Sequence, residues 1–240
     1  MHVLTAPAKI NLTLEVLGDL PGGYHEIDTV FATLDLADEI RWRYAAKTQL
    51  VVLGTPAGMT ISEGEDNLVI KALRALEAAC GRELSLYIEL KKRIPAGGGL
   101  GGGSSDAAAL LYGVNQSHEL GLTRQKLLEI AAPLGADVAF GVYGGVARGQ
   151  QRGDQLQALP GLAKSPSICL VIPPFPCPTG DIYRAWDRDR PQSARGRSQQ
   201  LVDALENGQK INWADVLAND LEAAAFQVHP QLQEIANALK

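Results

Sequence analysis

A glycine-rich segment between residues 95 and 106 gives the clearest sign of chemistry in the sequence. It reads Pro-Ala-Gly-Gly-Gly-Leu-Gly-Gly-Gly-Ser-Ser-Asp, so six of the seven residues from Gly97 to Gly103 are glycine. Glycine loses more backbone entropy on folding than any other residue, so such a tract is expected where the backbone approaches a ligand or adopts a positive φ. Patterned apolar segments lie on both sides, which argues against a flexible linker. We therefore expect a tight ligand-binding loop.

The flanking elements favour a phosphate as the bound group. A strand precedes the tract and a helix follows it, and the first turn of a helix offers free N–H groups and a positive dipole end to an anion. Ser104 and Ser105 add hydroxyl groups, and one of them, with Ser105 as our candidate, could coordinate Mg²⁺. The predicted phosphate-binding residues are Pro95, Ala96, Gly97, Gly98, Gly99, Leu100, Gly101, Gly102, Gly103, Ser104 and Ser105.

Neither of two common phosphate loops fits this segment well. A Walker A loop ends in Gly-Lys-Ser/Thr, whereas Gly103 is followed directly by serine. Gly97, Gly99 and Gly102 satisfy the dinucleotide pattern G-x-G-x-x-G, but the acidic residue about 20 positions later, Glu119, lies in a predicted helix end instead of a strand end. A dinucleotide-binding oxidoreductase therefore remains an alternative with weak support.

Two charged residues stand alone in uncharged stretches. Asp137 lies in the run Leu134–Phe140, and such an acid is either a helix cap or a functional carboxylate. Lys9 lies in the run Ala6–Leu14, where it is either a surface lysine at a strand end or a cation of the active site. The sequence pattern alone leaves both pairs of alternatives open.

The elements that must position these residues are mostly strands in the first third of the chain and helices in the last. The segments that read as strands are Val3–Val16, Thr29–Leu36, Glu39–Tyr44, Gln49–Leu53, Leu84–Leu90 and a short buried Ile168–Ile172. Asn67 and Thr123 are predicted helix N-caps, and Gly81 is predicted to end a helix. The charged stretch 187–197 predicts an exposed loop, and the final helices are placed at Ser198–Glu206, Trp213–Phe226 and Pro230–Lys240. This order predicts the α+β class, with domains at 1–150 and 151–240.

Composition excludes several classes of function. Lys and Arg total 22 against 27 Asp and Glu, and a net charge of −5 is unsuited to general binding of nucleic acid or an anionic membrane. The three cysteines form neither a disulfide framework nor a zinc motif. We expect a cytoplasmic protein that binds neither nucleic acid nor membranes.

Several motifs resemble those of the GHMP kinases, the superfamily of galactokinase, homoserine kinase and mevalonate kinase. Pro95–Ala108 is similar to the second motif of that superfamily, and Ala6–Leu12 to the first. Gly22–Glu26, Leu90–Pro95 and Leu134–Val138 narrow the resemblance to the kinases of a cytidylyl methylerythritol. The resemblance implies an N-terminal ATP domain like ribosomal protein S5 and a C-terminal ferredoxin-like substrate domain, in a monomer or weak homodimer.

The resemblance also implies a reaction, ATP-dependent phosphorylation of the 2-hydroxyl of the small-molecule substrate, cytidylyl methylerythritol, in the non-mevalonate isoprenoid pathway. ATP and Mg²⁺ are then the expected cofactors, with Asp137 as general base and Lys9 beside it. Tyr24 and His25 are expected to hold the cytosine. Asn11 is expected near the cytosine, and Tyr183 as the second wall of the cytosine slot. The remaining expected substrate contacts are Thr179, and Lys92 at the nucleotide or diphosphate.

Three further readings stay open beside this one. They are another GHMP kinase of the homoserine or mevalonate type, the dinucleotide-binding oxidoreductase, and a nucleotide-binding module without catalysis. GHMP kinases usually carry a third glycine-rich motif near the C-terminus, whereas no glycine follows Gly208 here. We therefore expect an incomplete substrate domain and a natural chain that continues beyond Lys240.

Overall fold

A computed structural model describes residues 1–54, 61–162, 165–191 and 195–239 of the chain. The chain divides into two compact units. Unit 1 comprises Met1–Ile10, Thr33–Ala96 and Leu100–Gly144, and unit 2 comprises Asn11–Ala32, Gly97–Gly99 and Gly145–Lys240. The predicted single boundary near residue 150 stays a prediction.

Two long strands contribute residues to both units. These are β1 (His2–Leu20) and β2 (Tyr24–Tyr44). The sequence predicted two separate strands, Thr29–Leu36 and Glu39–Tyr44, where β2 runs unbroken. Asp38, between the two predicted strands, is fully buried within β2, and its carboxylate is satisfied by the backbone N–H of Ile94 and the Lys92 ammonium.

Unit 1 consists of strands on which helices pack. Its further elements are β3 (Gln49–Leu53), α1 (Leu68–Cys80), β4 (Leu86–Lys91), α2 (Gly102–Ser117), α3 (Arg124–Ala131) and α4 (Ala136–Tyr143). β3 pairs in parallel with β4, and β4 pairs antiparallel with the second half of β2. The strand predicted at Leu84–Leu90 is confirmed, and its alternate residues Leu86, Ile88 and Leu90 form a buried apolar face.

Helix ends in unit 1 follow the predicted capping chemistry. The Asn67 side chain accepts the Val69 N–H at the start of α1, and Gly81 ends that helix with φ 65°. Thr123 caps α3 by accepting from the Lys126 N–H.

The position of α4 in unit 1 is fixed by its close approach to α2. The two helices pack together, and a Cβ on Gly141 would lie 2.6 Å from the Ala108 Cβ. Only glycine permits this spacing, which brings the second half of α4 close to the helix that follows the glycine tract.

Unit 2 combines the first half of β2 with shorter strands and helices. Its elements are β5 (Val146–Gln151), β6 (Gln155–Ala158), α5 (Thr179–Asp189), α6 (Arg197–Glu206), α7 (Trp213–Val216), β7 (Ala218–Asn219), α8 (Glu222–Val228) and α9 (Pro230–Ala238). β2 pairs antiparallel with β5, and β5 with β6. A core of Leu14, Val16, Ile182, Trp186 and Leu221 lies under α5 and α8. The mixture of strands and helices in both units confirms the α+β class.

Two predictions for the second half of the chain are wrong. Ile168–Ile172 forms no strand, and the side chains of Ile168, Val171 and Ile172 are about half exposed. The predicted helix Trp213–Phe226 is divided by β7, which pairs in parallel with β1. The apolar periodicity of the sequence does not reveal this interruption, because pairing with a distant strand causes it. In the part of the chain that the structure describes, no helix is long and apolar enough to cross a membrane.

Candidate functional site

Lys9 and Asp137 meet in unit 1. The Lys9 Nζ lies 3.3 Å from Asp137 Oδ2, and the two side chains are 11% and 34% exposed. Lys9 is therefore not a surface lysine. Asp137 lies in the first turn of α4, whose N-cap is Gly135, so it is not the cap that the sequence left open. A partly exposed carboxylate beside a buried ammonium is an arrangement that can take a proton from a bound hydroxyl.

The glycine tract packs directly on Lys9. The Lys9 N–H donates to the Leu100 carbonyl at 3.0 Å. A Cβ on Gly101 would lie 2.8 Å from Lys9 Cγ, and Gly101 has φ 67°. The loop thus needs glycine at this position for two reasons, a left-handed backbone and contact with the lysine stem.

The loop has the features of an anion site. Gly97 and Gly99 also have positive φ, and residues 97–99 are exposed while Leu100 is buried as an anchor. α2 begins at Gly102, so its first amide groups lie at the end of the loop. A Cβ on Gly103 would meet no atom within 4 Å, which leaves open space beside these amides. Phosphate oxygens fit such a site.

The two serines after the loop differ in their surroundings. Ser105 is buried, and its hydroxyl donates to the Pro7 carbonyl at 2.6 Å, which joins α2 to β1. Ser104 is partly exposed. The sequence-based choice of Ser105 as a Mg²⁺ ligand fits this geometry poorly, and Ser104 is the better candidate.

Lys92 does not lie on the solvent-exposed surface expected for a substrate contact. Its side chain is 4% exposed, and its ammonium contacts the buried carboxylates of Asp38 and Asp106. Burial raises the pKa of Asp106 to about 7, against the opposing effect of Lys92. We therefore do not retain Lys92 as a contact of nucleotide or diphosphate.

Unit 2 carries a pocket of about 410 Å³ around the predicted cytosine residues. Its lining residues are Gly23, Tyr24, His25, Ile27, Arg152, Thr179, Gly180, Tyr183, Arg184 and Asp187. Tyr24, His25, Thr179 and Tyr183, predicted from widely separated parts of the sequence, are thus brought together. Tyr24 is 54% exposed, and the Arg152 guanidinium lies 5.1 Å from its ring centroid.

His25 is held in place from three sides. Its Nε2–H donates to Asp187 Oδ1 at 2.7 Å. The Tyr183 ring stacks on it with centroids 4.6 Å apart, and Trp186 meets it edge to face at 5.5 Å. Tyr183 therefore supports the imidazole directly in this structure, whereas the sequence predicted it as the second wall of the base slot.

Asn11 does not belong to the described lining of that pocket. Its Nδ2 donates to Thr29 Oγ1 at 2.7 Å, and the Thr29 hydroxyl donates to the Thr13 carbonyl. Because the Thr29 proton is committed to that carbonyl, Asn11 must donate to Thr29, which fixes the orientation of its amide.

Three charged residues of the pocket lining are absent from the sequence-based set. Arg152 lies in the turn after β5, and Arg184 and Asp187 lie on α5. The prediction of an exposed loop from 187 to 197 is wrong at its start, since Asp187 belongs to α5 and bonds to His25. A helical reading of α5 would have placed Tyr183 and Asp187, four residues apart, on one face.

Comparison with protein families and named relatives agrees with this geometry. Residues 67–145 match the GHMP kinases N terminal domain. The 4-diphosphocytidyl-2-C-methyl-D-erythritol kinase of Moorella thermoacetica is 40% identical over 242 residues, which cover 98% of this chain and 82% of the relative. The enzyme of the same name from Pelotomaculum thermopropionicum is 38% identical over 237 residues, covering 98% and 80%.

Solved structures show the same relationship. A 4-(cytidine 5'-diphospho)-2C-methyl-D-erythritol kinase superposes with a TM-score of 0.72 at 32% identity, covering 98% of this chain and 81% of the other. Homoserine kinase from Cytophaga hutchinsonii has a TM-score of 0.63 at 21% identity, covering 92% and 72%, and shares the fold.

Proposed function

The chain belongs to the 4-diphosphocytidyl-2-C-methyl-D-erythritol kinase family of GHMP kinases, and from this membership we propose that it transfers the γ-phosphoryl group of ATP to the 2-hydroxyl of that cytidylyl methylerythritol. The contact between Lys9 and Asp137, made beside the glycine loop, is the observation that carries the proposal. It supplies a proton acceptor and a cation next to a loop suited to phosphate.

Asp137 is the proposed general base. Its carboxylate takes the proton of the 2-hydroxyl while the hydroxyl oxygen bonds to the γ-phosphorus. The bond from that phosphorus to the bridging oxygen breaks, and ADP leaves with the electron pair. The Lys9 ammonium, 3.3 Å away, balances the charge of Asp137 and orients the Asp137 carboxylate and the reacting 2-hydroxyl.

The glycine loop and the start of α2 are the proposed site of the ATP phosphates. Backbone N–H groups and the positive helix end stabilise the phosphate charge there. Mg²⁺, when bound, neutralises further charge on the phosphates. A hydroxyl ligand suits this hard cation, and we assign that role to Ser104 because it is partly exposed and Ser105 is not.

The pocket of unit 2 is the proposed cytosine site. Tyr24 offers an exposed ring for stacking. Because the Nε2–H of His25 is directed at Asp187, Nδ1 is the ring nitrogen proposed to face the cytosine. Arg152 and Arg184 line the same pocket, and their guanidinium groups, which pair with Asp154 and Asp181 in the structure, are the proposed contacts of the adjoining diphosphate.

A substrate panel tests the proposal. The purified chain is incubated with ATP, Mg²⁺ and, in turn, 4-diphosphocytidyl-2-C-methyl-D-erythritol, homoserine and mevalonate, and ADP release is measured. We expect turnover with the cytidylyl substrate alone. In the product, the ¹³C NMR signal of the carbon that carries the 2-hydroxyl oxygen should show coupling to phosphorus. Equal turnover of homoserine or mevalonate would overturn the assignment of the substrate, and ATP binding without turnover of any alcohol would favour a non-catalytic module.

A further inference from the structure

Three charged side chains of unit 1 are buried together, and the phosphoryl-transfer chemistry does not use them. Lys92 Nζ donates to Asp106 Oδ2 at 2.6 Å and also to Asp38 Oδ2. The side chains of Lys92, Asp38 and Asp106 are 4%, 0% and 1% exposed. Burying three ionisable side chains is costly, so a cluster of this kind needs a reason beyond stability.

The cluster joins the chain before the glycine loop to the helix after it. Asp38 Oδ1 accepts the backbone N–H groups of Arg93 and Ile94, the residues that lead into Pro95 and the loop. Asp106 lies on α2, one turn beyond Gly102. Lys92 contacts both carboxylates and so connects the two segments through a single ammonium.

Gly102, the first residue of α2, packs against the same cluster. A Cβ at this position would lie 3.0 Å from Ile94 Cγ2 and 3.3 Å from Lys92 Nζ. The ammonium is thus packed beneath the turn where the loop becomes helix.

We propose that Lys92, Asp38 and Asp106 form a clamp that fixes the separation of the two ends of the glycine loop and thereby holds the loop in the shape that binds the ATP phosphates. The proposal rests on the proposed function for its ligand, ATP. Lys92 is a positioning residue, and its effect on ATP passes through the loop. A glycine tract has many conformations when its ends are free, so fixing the ends lowers the entropy that ATP binding must remove.

Lys92→Met tests the clamp, with Lys91→Met as its matched control because Lys91 is an exposed neighbour on β4. Calorimetry with ATP and Mg²⁺ should show a Kd for Lys92→Met raised at least about tenfold, because removing one partner strands two buried carboxylates. The Kd of Lys91→Met should stay within about twofold of the wild type, as expected for an exposed side chain. Affinity for the cytidylyl substrate should stay unchanged in both variants.

Amide hydrogen exchange tests the same clamp without ATP. Exchange of residues 95–106 should accelerate in Lys92→Met and stay at the wild-type rate in Lys91→Met, with β3 and α3 unchanged in both. The exchange measurement does not depend on the proposed function. A wild-type protein that neither binds ATP nor phosphorylates the cytidylyl substrate would refute the proposed function and leave the clamp to be decided by hydrogen exchange. Should Lys92→Met fail to fold, Lys92→Met/Asp106→Leu removes one stranded charge and is measured in its place.

Substitution of Asp106 separates positioning from general destabilisation. Asp106→Asn keeps an oxygen that accepts from Lys92, and its ATP affinity should stay near the wild type, whereas Asp106→Leu should lose affinity as Lys92→Met does. A folded Lys92→Met protein, or the folded double variant, with unchanged ATP affinity and unchanged exchange of residues 95–106 would overturn the clamp.

Discussion

Gly101→Ala should slow the chemical step by displacing Lys9, although the substitution adds a single methyl group. Gly101 has φ 67°, and its new Cβ would lie 2.8 Å from Cγ, 3.1 Å from Cε and 3.5 Å from Cδ of Lys9. The lysine stem is flexible and can move away. Its ammonium then leaves the position 3.3 Å from Asp137 that orients the reacting hydroxyl.

The size of both effects follows from these contacts. The left-handed backbone costs a residue with a Cβ roughly 1–2 kcal/mol, which lowers the free energy of unfolding. A displacement approaching 1 Å at a catalytic group costs on the order of 100-fold in kcat. Steady-state kinetics and urea unfolding measure the two quantities separately.

Gly81→Ala is the matched control for this substitution. Gly81 has φ 65° at the end of α1, and a Cβ there would meet no atom within 4 Å. Gly81→Ala should therefore lose similar stability while keeping the wild-type kcat. If both variants keep the wild-type kcat, or both lose it equally, the loop does not position Lys9.

Two further predictions concern the cytosine pocket and the buried clamp. Tyr24→Ala should weaken substrate binding by about 1–3 kcal/mol, as loss of base stacking does, and should raise KM for the cytidylyl substrate while KM for ATP stays unchanged. The control Tyr112→Ala removes a similarly exposed ring on α2 and should change neither KM. Equal KM values for Tyr24→Ala and wild type would exclude stacking. Burial raises the pKa of Asp106 to about 7, so the folded state holds a proton that the unfolded state loses near pH 4, and the stability contributed by this group falls as pH rises from 4 to 7. In urea unfolding, Asp106→Asn should therefore gain stability relative to wild type as pH rises between pH 5 and pH 8. A stability difference that does not vary with pH would contradict the raised pKa.

Local signals in the sequence are sufficient for much of unit 1. Asn67, Gly81 and Thr123 act at helix ends as their side chains or backbone preferences predict. The alternation in β4 gives its buried face correctly. These features depend on neighbours within a few residues, so the amino-acid pattern contains the information that determines them.

Long-range pairing explains the errors in unit 2. β7 interrupts a helical pattern because Ala218 and Asn219 pair with Thr13 and Leu14, some 200 residues earlier in the chain. Ile168–Ile172 has the composition of a buried strand, yet nothing in the sequence shows whether a partner strand lies beside it. Pairing of this kind is a property of the tertiary fold.

The candidate site shows the same division. The glycine loop is recognisable from composition alone, and the resemblance to GHMP kinases relates Lys9 to Asp137, which the structure then brings to 3.3 Å. Lys92 was predicted to contact the nucleotide or diphosphate because it lies just before the glycine loop, and its exposed neighbours Lys91 and Arg93 give no sign that its own side chain is buried. Only the three-dimensional position of Asp38, 54 residues earlier, shows that it is buried.

Single-turnover phosphoryl transfer by Asp137→Asn tests the central claim most directly. Enzyme in excess over the cytidylyl substrate is mixed with ATP and Mg²⁺, and the rate of product formation is followed beside Asp35→Asn, which changes an exposed acid of β2. Removal of a general base should slow the step by about 100- to 10,000-fold, with ATP affinity retained and Asp35→Asn at the wild-type rate. A folded Asp137→Asn protein that transfers the phosphoryl group at the wild-type rate would contradict the assignment of Asp137 as the base.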